Sequence, residues 1–442
     1  MTTQRSDVLV LGSSLGGLVA AAYLARAGLR VTLVEEECLG KRPPLLREPF
    51  VLSGLETEGP AHRVMRELAL PLIEQRRIAH TEVSLQVLLP RARVDLHAGR
   101  RELARELDAY QLCDPEAARA FFEQCDARGD EQRARLVEGE PAAEPGGNAV
   151  SRIFARAART APPEAGLGPI PAGLGPIVDA MVAGLSRALP SGPPGRDAAL
   201  LLRGSREGGF FMPDAGAPFL DLFRRRLLAL HGELRSTSEF ALVSERGDLG
   251  VELPRGRLFA RGVVLAAPLE SIRRMAAATG SVPRWLAART PPVDMPARLF
   301  RAEPDSLPVG LAPRAVIAPG PPEALHWIAR HSDPVQKGVE WVLVGGPGAA
   351  RLPADQPLGD LSPFPGSGLT PVELGATPRW DRDASDHRFL EPRVEGSLRG
   401  KPPVVAVGAE LAPGLGFEAE LLLARQAALR LAERLGARRG LA

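Results

Sequence analysis

Between Asp7 and Glu35 the chain runs through an apolar stretch, a glycine-rich turn, an alanine-rich stretch and a second apolar run that ends in an acid. No other feature of the sequence constrains the fold as much. Val8-Leu9-Val10-Leu11 is wholly apolar and bounded by Asp7 and Gly12, the pattern of a strand buried on both faces of a parallel sheet. Gly12-Ser13-Ser14-Leu15-Gly16-Gly17 follows. Leu18 to Ala27 has helical composition, and Gly28 suits the position after a helix end. Val31 to Val34 reads as a second strand, closed by Glu35. Strand, helix and strand at this length predict a βαβ unit.

The spacing inside the unit assigns work to its residues. Counted from Gly12, Ser14 stands at +2, Gly17 at +5 and Glu35 at +23. Gly12 permits a tight turn, and Gly17 lets the helix pack closely on the strand. The helix start, with Leu15 and Gly16, offers unpaired N–H groups and a positive dipole end to a pyrophosphate. Glu35, at the end of the second strand, is placed to accept hydrogen bonds from ribose hydroxyls. Ser14 stands where the dinucleotide pattern has its middle glycine; it adds a β-carbon and a hydroxyl able to bond a phosphate. A carboxylate at position 35 repels a 2′-phosphate and so disfavours NADP, while NAD and FAD both stay open on local grounds. The rival reading is a Rossmann-like unit with an empty site.

Composition removes several other classes. A length of 442 residues is room for two to three domains. A net charge of +2 gives no electrostatic case for nucleic acid. Three lysines, Lys41, Lys337 and Lys401, stand among 55 basic residues, a bias toward arginine with no functional reading. Cys38, Cys113 and Cys125 have no metal-binding spacing, and their odd number argues against a disulfide framework. The seven histidines make no HExxH pair; His62, at a predicted helix start, is singled out only weakly. No metal site, GxSxG or P-loop is expected. Nothing approaches the length of an uninterrupted apolar membrane span. The expected setting is a reducing cytoplasm, with contact at a membrane surface left open. No oligomeric state is implied.

Two distant stretches repeat the strand–glycine–helix theme. Val404 to Val407 is a short apolar run closed by Gly408-Ala409-Glu410, and Gly416 precedes a strongly helical segment from about 418 to 435. In mid-chain, 219–230 reads as an amphipathic helix. Strands are expected at 232–235, 239–244, 249–253, 257–260 and 262–267. Elsewhere, 63–70, 100–110 and 116–127 read as helices, and 83–89, 93–96, 298–302 and 339–344 as strands. The polar stretch 129–148 reads as an exposed loop. The hexapeptide Ala165–Ile170 recurs at Ala172–Ile177 and is expected to form a flexible loop, with a lid as the sharper hypothesis.

Taken together, these segments resemble the FAD-dependent oxidoreductases of the phytoene desaturase, carotenoid isomerase and amine oxidase superfamily. Gly208-Gly209 through Gly216 is similar to their "GG…P.GG" segment, Gly232 through Val264 to their mid-chain strand region, and Gly408 through Gly416 to their "GD…PG.G" ending. The resemblance implies an α/β fold: a Rossmann-like FAD-binding domain, with a parallel sheet and helices, interleaved with a mixed α+β substrate domain. The FAD-binding parts would be 1–60, 208–280 and 396–442, and the substrate parts 61–207 and 281–395. It implies that Gly12, Ser14, Leu15, Gly16, Gly17 and Glu35 hold the cofactor together with Val243 at the adenine and Gly408, Glu410 and Gly416 at the ribityl chain. Arg42, with Gly40, stands in for a "GGR" motif. Contacts drawn from start, middle and end of the chain favour FAD over NAD. The implied work is redox chemistry or isomerisation of a small hydrophobic substrate, such as a polyene or isoprenoid, by hydride transfer to flavin N5. No catalytic side chain is assigned. Only two tyrosines, Tyr23 and Tyr110, are present, and Tyr23 lies on the fingerprint helix, which weakens an amine oxidase reading with its aromatic cage. The alternative is a non-catalytic member of the fold, similar to Rab escort and GDP-dissociation-inhibitor proteins.

Overall fold

The computed structural model describes residues 2–36, 52–76, 78–89, 92–138, 167–186, 188–189, 198–206, 209–211, 217–237, 241–245, 248–254, 256–268, 271, 273–274, 293–302, 311–318, 326–332, 339–345, 372–381, 402–411 and 414–437. The first half contains β1 (Thr2–Leu11), α1 (Leu15–Arg26), β2 (Val31–Glu36), α2 (Pro60–Glu67), α3 (Leu72–Gln75), β3 (Ala79–Thr81), β4 (Val83–Leu89), β5 (Ala92–His97), α4 (Arg100–Ala109), α5 (Pro115–Glu138), α6 (Gly175–Leu185), β6 (Ala188–Leu189), α7 (Ala198–Ser205) and β7 (Gly209–Phe211). The second contains α8 (Ala217–Ala229), β8 (Glu233–Thr237), β9 (Ala241–Glu245), β10 (Asp248–Leu253), β11 (Gly256–Leu265), β12 (Val293–Ala302), β13 (Arg314–Ile317), β14 (His326–Ser332), β15 (Val339–Gly345), β16 (Val372–Asp381) and β17 (Val404–Ala406). A 3-10 turn at Ala409–Leu411 and α9 (Gly416–Arg434) complete it.

Two large sheets and a two-stranded one, β3-β7, take up the described strands. The first has the order β8-β2-β1-β11-β10-β9, with β17 also on β11. β8, β2, β1, β11 and β17 are all parallel, so their C-terminal ends share one edge. Alternation sorts the side chains of β1: Val8 and Val10 pack with α1, α8 and α9, while Leu9 and Leu11 pack with Val251, Leu258 and Val263 on the other face. The second sheet is mixed, with the order β5-β4-β13-β14-β15-β12-β16-β6. Leu85, Val87 and Val316 from its strands form a separate core with α4, α5, α6 and α7. The α/β architecture with a parallel, helix-covered sheet and a mixed second unit is the one expected.

Four local expectations change. β1 begins at Thr2, not Val8, because β11 pairs with it from Thr2↔Gly256 through Leu11↔Leu265 and satisfies the polar segment's backbone. The separate strands expected at 257–260 and 262–267 are the single strand β11; its first half pairs with β10 and its second half with β17. Part of the expected loop 129–148 is helix, since α5 runs on to Glu138; the remainder lies outside the described residues. Gly129 lies inside the helix at a close contact: a Cβ there would come 2.5 Å from Arg203 Cβ and 2.7 Å from the Ala199 carbonyl, so α7 crosses α5 at that point. The second hexapeptide copy, expected to be a loop, leads into α6, with Leu174, Ile177 and Val178 fully buried in the second core.

Candidate functional site

At the C-terminal edge of the parallel strands the chain turns from β1 into α1. Gly12 sits at φ +107°, and a Cβ on it would lie 2.3 Å from the Ala267 nitrogen. Only glycine fits that turn. A Cβ on Gly17 would meet the Ala266 Cβ at 2.5 Å, so α1 packs directly on the end of β11. Gly12 N–H donates to the Val34 carbonyl at 2.8 Å and Ala266 N–H to the Leu11 carbonyl at 2.7 Å, tying the loop to both neighbouring strands. Gly408, at φ +132°, completes the cradle from the far end of the chain: a Cβ on Gly16 would lie 3.1 Å from the Gly408 nitrogen. The loop and the C-terminal segment singled out in the sequence are therefore brought together.

Two donors at the start of α1, the Gly16 and Gly17 N–H groups, have partners within the chain. Ser14 is the N-cap, and its Oγ accepts from the Gly17 N–H at 3.2 Å. Its hydroxyl thus serves its own helix. The Gly16 N–H donates to Oε1 of Glu420 on α9 at 3.0 Å. Leu15 is buried against the first core. Nothing in the local sequence marked Glu420, which stands 404 positions away.

Glu35 lies at the C-terminal end of β2. Its carboxylate is gripped by Arg224 of α8, with Nη1 at 3.1 Å from Oε1 and Nη2 at 2.7 Å from Oε2, and Ser236 lies 3.2 Å from Oε1. Burial works to raise the carboxyl's pKa, but the Arg224 hydrogen bonds and charge, helped by Ser13 and Ser236, outweigh it and hold the group below its ordinary range. Glu35 is thus ionised and oriented, and Arg224 is a partner that spacing did not reveal.

The remaining residues fall at varied distances along the fold. Glu410 is in the 3-10 turn after β17, next to the Gly408 bend. Gly416 opens α9 at φ +70°, where a Cβ would strike Leu201 and the Leu185 carbonyl, so its role in the structure is close packing. Val243 is on the edge strand β9, opposite Gly250 and two strands beyond β11. Arg42 lies outside the described residues. His62 is in the first turn of α2, and its buried Nδ1 has no hydrogen-bond partner. Tyr23 is buried on α1 and donates to Glu67, and Tyr110 is exposed at a helix end. No helix among the described residues is long and apolar enough to cross a membrane, and no metal-binding group of three or more His, Cys, Asp or Glu occurs among them.

Comparison with known proteins agrees with this architecture. Residues 6–111, about a quarter of the chain, match the family model described as pyridine nucleotide-disulphide oxidoreductase. No curated protein matches the chain by sequence. Among solved structures it is similar to wild-type putrescine oxidase bound to putrescine, at 13% identity and a TM-score of 0.56, covering 98% of this chain and 100% of that one. Cyclohexylamine oxidase from Brevibacterium oxydans aligns at 14% identity and 0.56, covering 98% and 99%. A putative protoporphyrinogen oxidase from Exiguobacterium sp. aligns at 14% and 0.53, with the same coverage. At these identities the likeness is one of fold: the chain is built, over nearly its whole length, on the architecture these oxidases share.

Proposed function

We propose that the chain is an FAD-dependent oxidoreductase acting on a small hydrophobic substrate. The observation that carries this is the convergence of Gly12–Gly17, Gly408 and, at the neighbouring strand end, Glu35. The residues fit such a cofactor on two counts. The turn at Gly12 and the Gly17 contact leave no room for a Cβ, which is the cradle a dinucleotide loop needs. The Gly16 N–H already receives an anionic oxygen, that of the Glu420 carboxylate, so the loop is built to bind one.

In this reading Leu15, Gly16 and Gly17 face the pyrophosphate with Ser14 shaping the loop, and Glu35 accepts from ribose hydroxyls. Glu410 and Gly416 border the ribityl chain, with Val243 and Arg42 as the more distant contacts. Bound FAD supplies the redox chemistry by accepting a hydride at flavin N5. The protein's own part is to bind, orient and exclude water, and no side-chain nucleophile is required. The unit around the second sheet is proposed as the substrate domain, following the division at 1–60, 61–207, 208–280, 281–395 and 396–442. A polyene or isoprenoid substrate suits a chain with two tyrosines, of which Tyr23 is buried on α1 and bonded to Glu67.

A second reading, a non-catalytic member of the fold, is favoured by the internal partners of Gly16, Gly17 and Glu35. The absorbance spectrum of the purified protein decides between them. A yellow protein with a flavin spectrum is expected; a colourless one that FAD does not reconstitute overturns the first reading. Glu35→Gln should also weaken FAD retention, by about tenfold for a lost charge-assisted pair of hydrogen bonds. Unchanged retention would place the ribose elsewhere.

A further inference from the structure

The Glu420 carboxylate reaches the cofactor loop from the opposite end of the chain. On α9 its neighbours Ala419, Leu421 and Leu422 are fully buried in the first core, while Glu420 itself is half-buried on the side facing α1. Its Oε1 lies 3.0 Å from the Gly16 nitrogen, and the space beside Gly16 is shared by this oxygen and the Gly408 backbone. The attraction has a plain cause. The second N–H of a helix has no partner in its own helix and sits at the positive end of the dipole.

The same N–H is what a dinucleotide's phosphate would use. One hydrogen cannot serve two acceptors at full strength, and a carboxylate set beside a phosphate is a like-charge contact in a partly desolvated site. We propose that Glu420 is a built-in competitor for the cofactor's phosphate: it fills the anion position while the loop is free, and must leave the Gly16 N–H before a phosphate oxygen takes it. The proposal rests on the FAD reading above. It makes Glu420 a residue that sets affinity for the cofactor. The ligand-free loop is stabilised by an anion of its own, and part of the interaction with a phosphate replaces one already present. The Ser14–Gly17 bond remains in place throughout, so the helix start keeps its cap.

The test is a calorimetric titration of full-length wild type, E420Q and E420A with FAD, with a thermal melt of each in the absence of FAD. Gln keeps an oxygen that can accept from Gly16 but carries no charge; Ala removes both. FAD should bind E420A more tightly by about tenfold or more, as relief of a like-charge contact requires, with E420Q between it and wild type. Ligand-free E420A should melt below wild type. If all three bind FAD equally, the competitor is overturned and the FAD reading stands. Weaker binding by the variants overturns it too, by making Glu420 a cofactor-holding residue. No binding by any of the three overturns both proposals. Should E420A fail to fold, the isosteric E420Q decides alone.

Discussion

Glu67 collects donors from three residues beside α1. The Tyr23 hydroxyl donates to it at 2.7 Å, Arg425 from Nε and Nη2 at 2.6 and 3.0 Å, and Arg63 Nε at 2.9 Å. Burial alone would raise its pKa, but Arg425, Tyr23 and Arg63 hold it down to about 2, against an ordinary 4.5. The folded carboxyl keeps its charge to lower pH than the unfolded one. Its contribution is therefore complete above about pH 4.5 and is lost as pH falls through about 2, a span worth about 3 kcal/mol. Wild type should lose that stability between these values in an acid titration of the urea midpoint, and Glu67→Gln should flatten the curve in the same window. At this scale the sequence is legible where the backbone itself makes the demand. Gly12 and Gly17 announce themselves because a Cβ has nowhere to go. Glu420 on Gly16 and Arg224 on Glu35 do not, since a side-chain partner 404 or 189 positions away leaves no trace in local spacing.

Helix α5 shows how an element can contradict its own composition. Gly129 sits within it, where glycine ordinarily costs about 1 kcal/mol relative to alanine. Here the sign should reverse. Gly129→Ala would push a methyl into Arg203 Cβ and the Ala199 carbonyl of α7, and overpacking of this kind costs about 1–3 kcal/mol. A chemical melt that finds the variant more stable than wild type would refute the close crossing of α5 and α7. Polar residues and glycine together read as a loop because composition reports exposure, and α5 has an exposed side throughout; what glycine reports is a neighbour, which only packing reveals. β1, α1 and β2 were legible for the opposite reason, as their apolar periods and terminating glycines act within a single unit. β11 was half legible: both its segments read as strand, but their continuity depends on β1 lying alongside.

The two cores are joined through a buried ion pair. Arg133 of α5 meets Glu418 of α9, with Nε at 3.1 Å from Oε2 and Nη2 at 3.1 Å from Oε1, and the Glu418 side chain is only 3% exposed. Arg133 also lies 3.5 Å from the Glu56 carboxylate. Arg133→Met should weaken both pairs and cost about 3–5 kcal/mol, while adding Glu418→Leu should recover only the share that belongs to Glu418, because a buried pair is worth little more than the apolar contact that replaces it. Urea midpoints of the two variants test this, and equal losses in both would contradict it. The long β1–β11 pairing has a different consequence, in time. β1 leaves the ribosome well before β11, whose residues cover one of its edges from about 250 positions downstream. At 5–20 residues per second that is a wait of roughly 12 to 50 s. During it an apolar strand with an open edge is available to other nascent chains, the situation in which sheet proteins aggregate or engage chaperones. Yield on expression should therefore depend on how fast the middle of this chain is made.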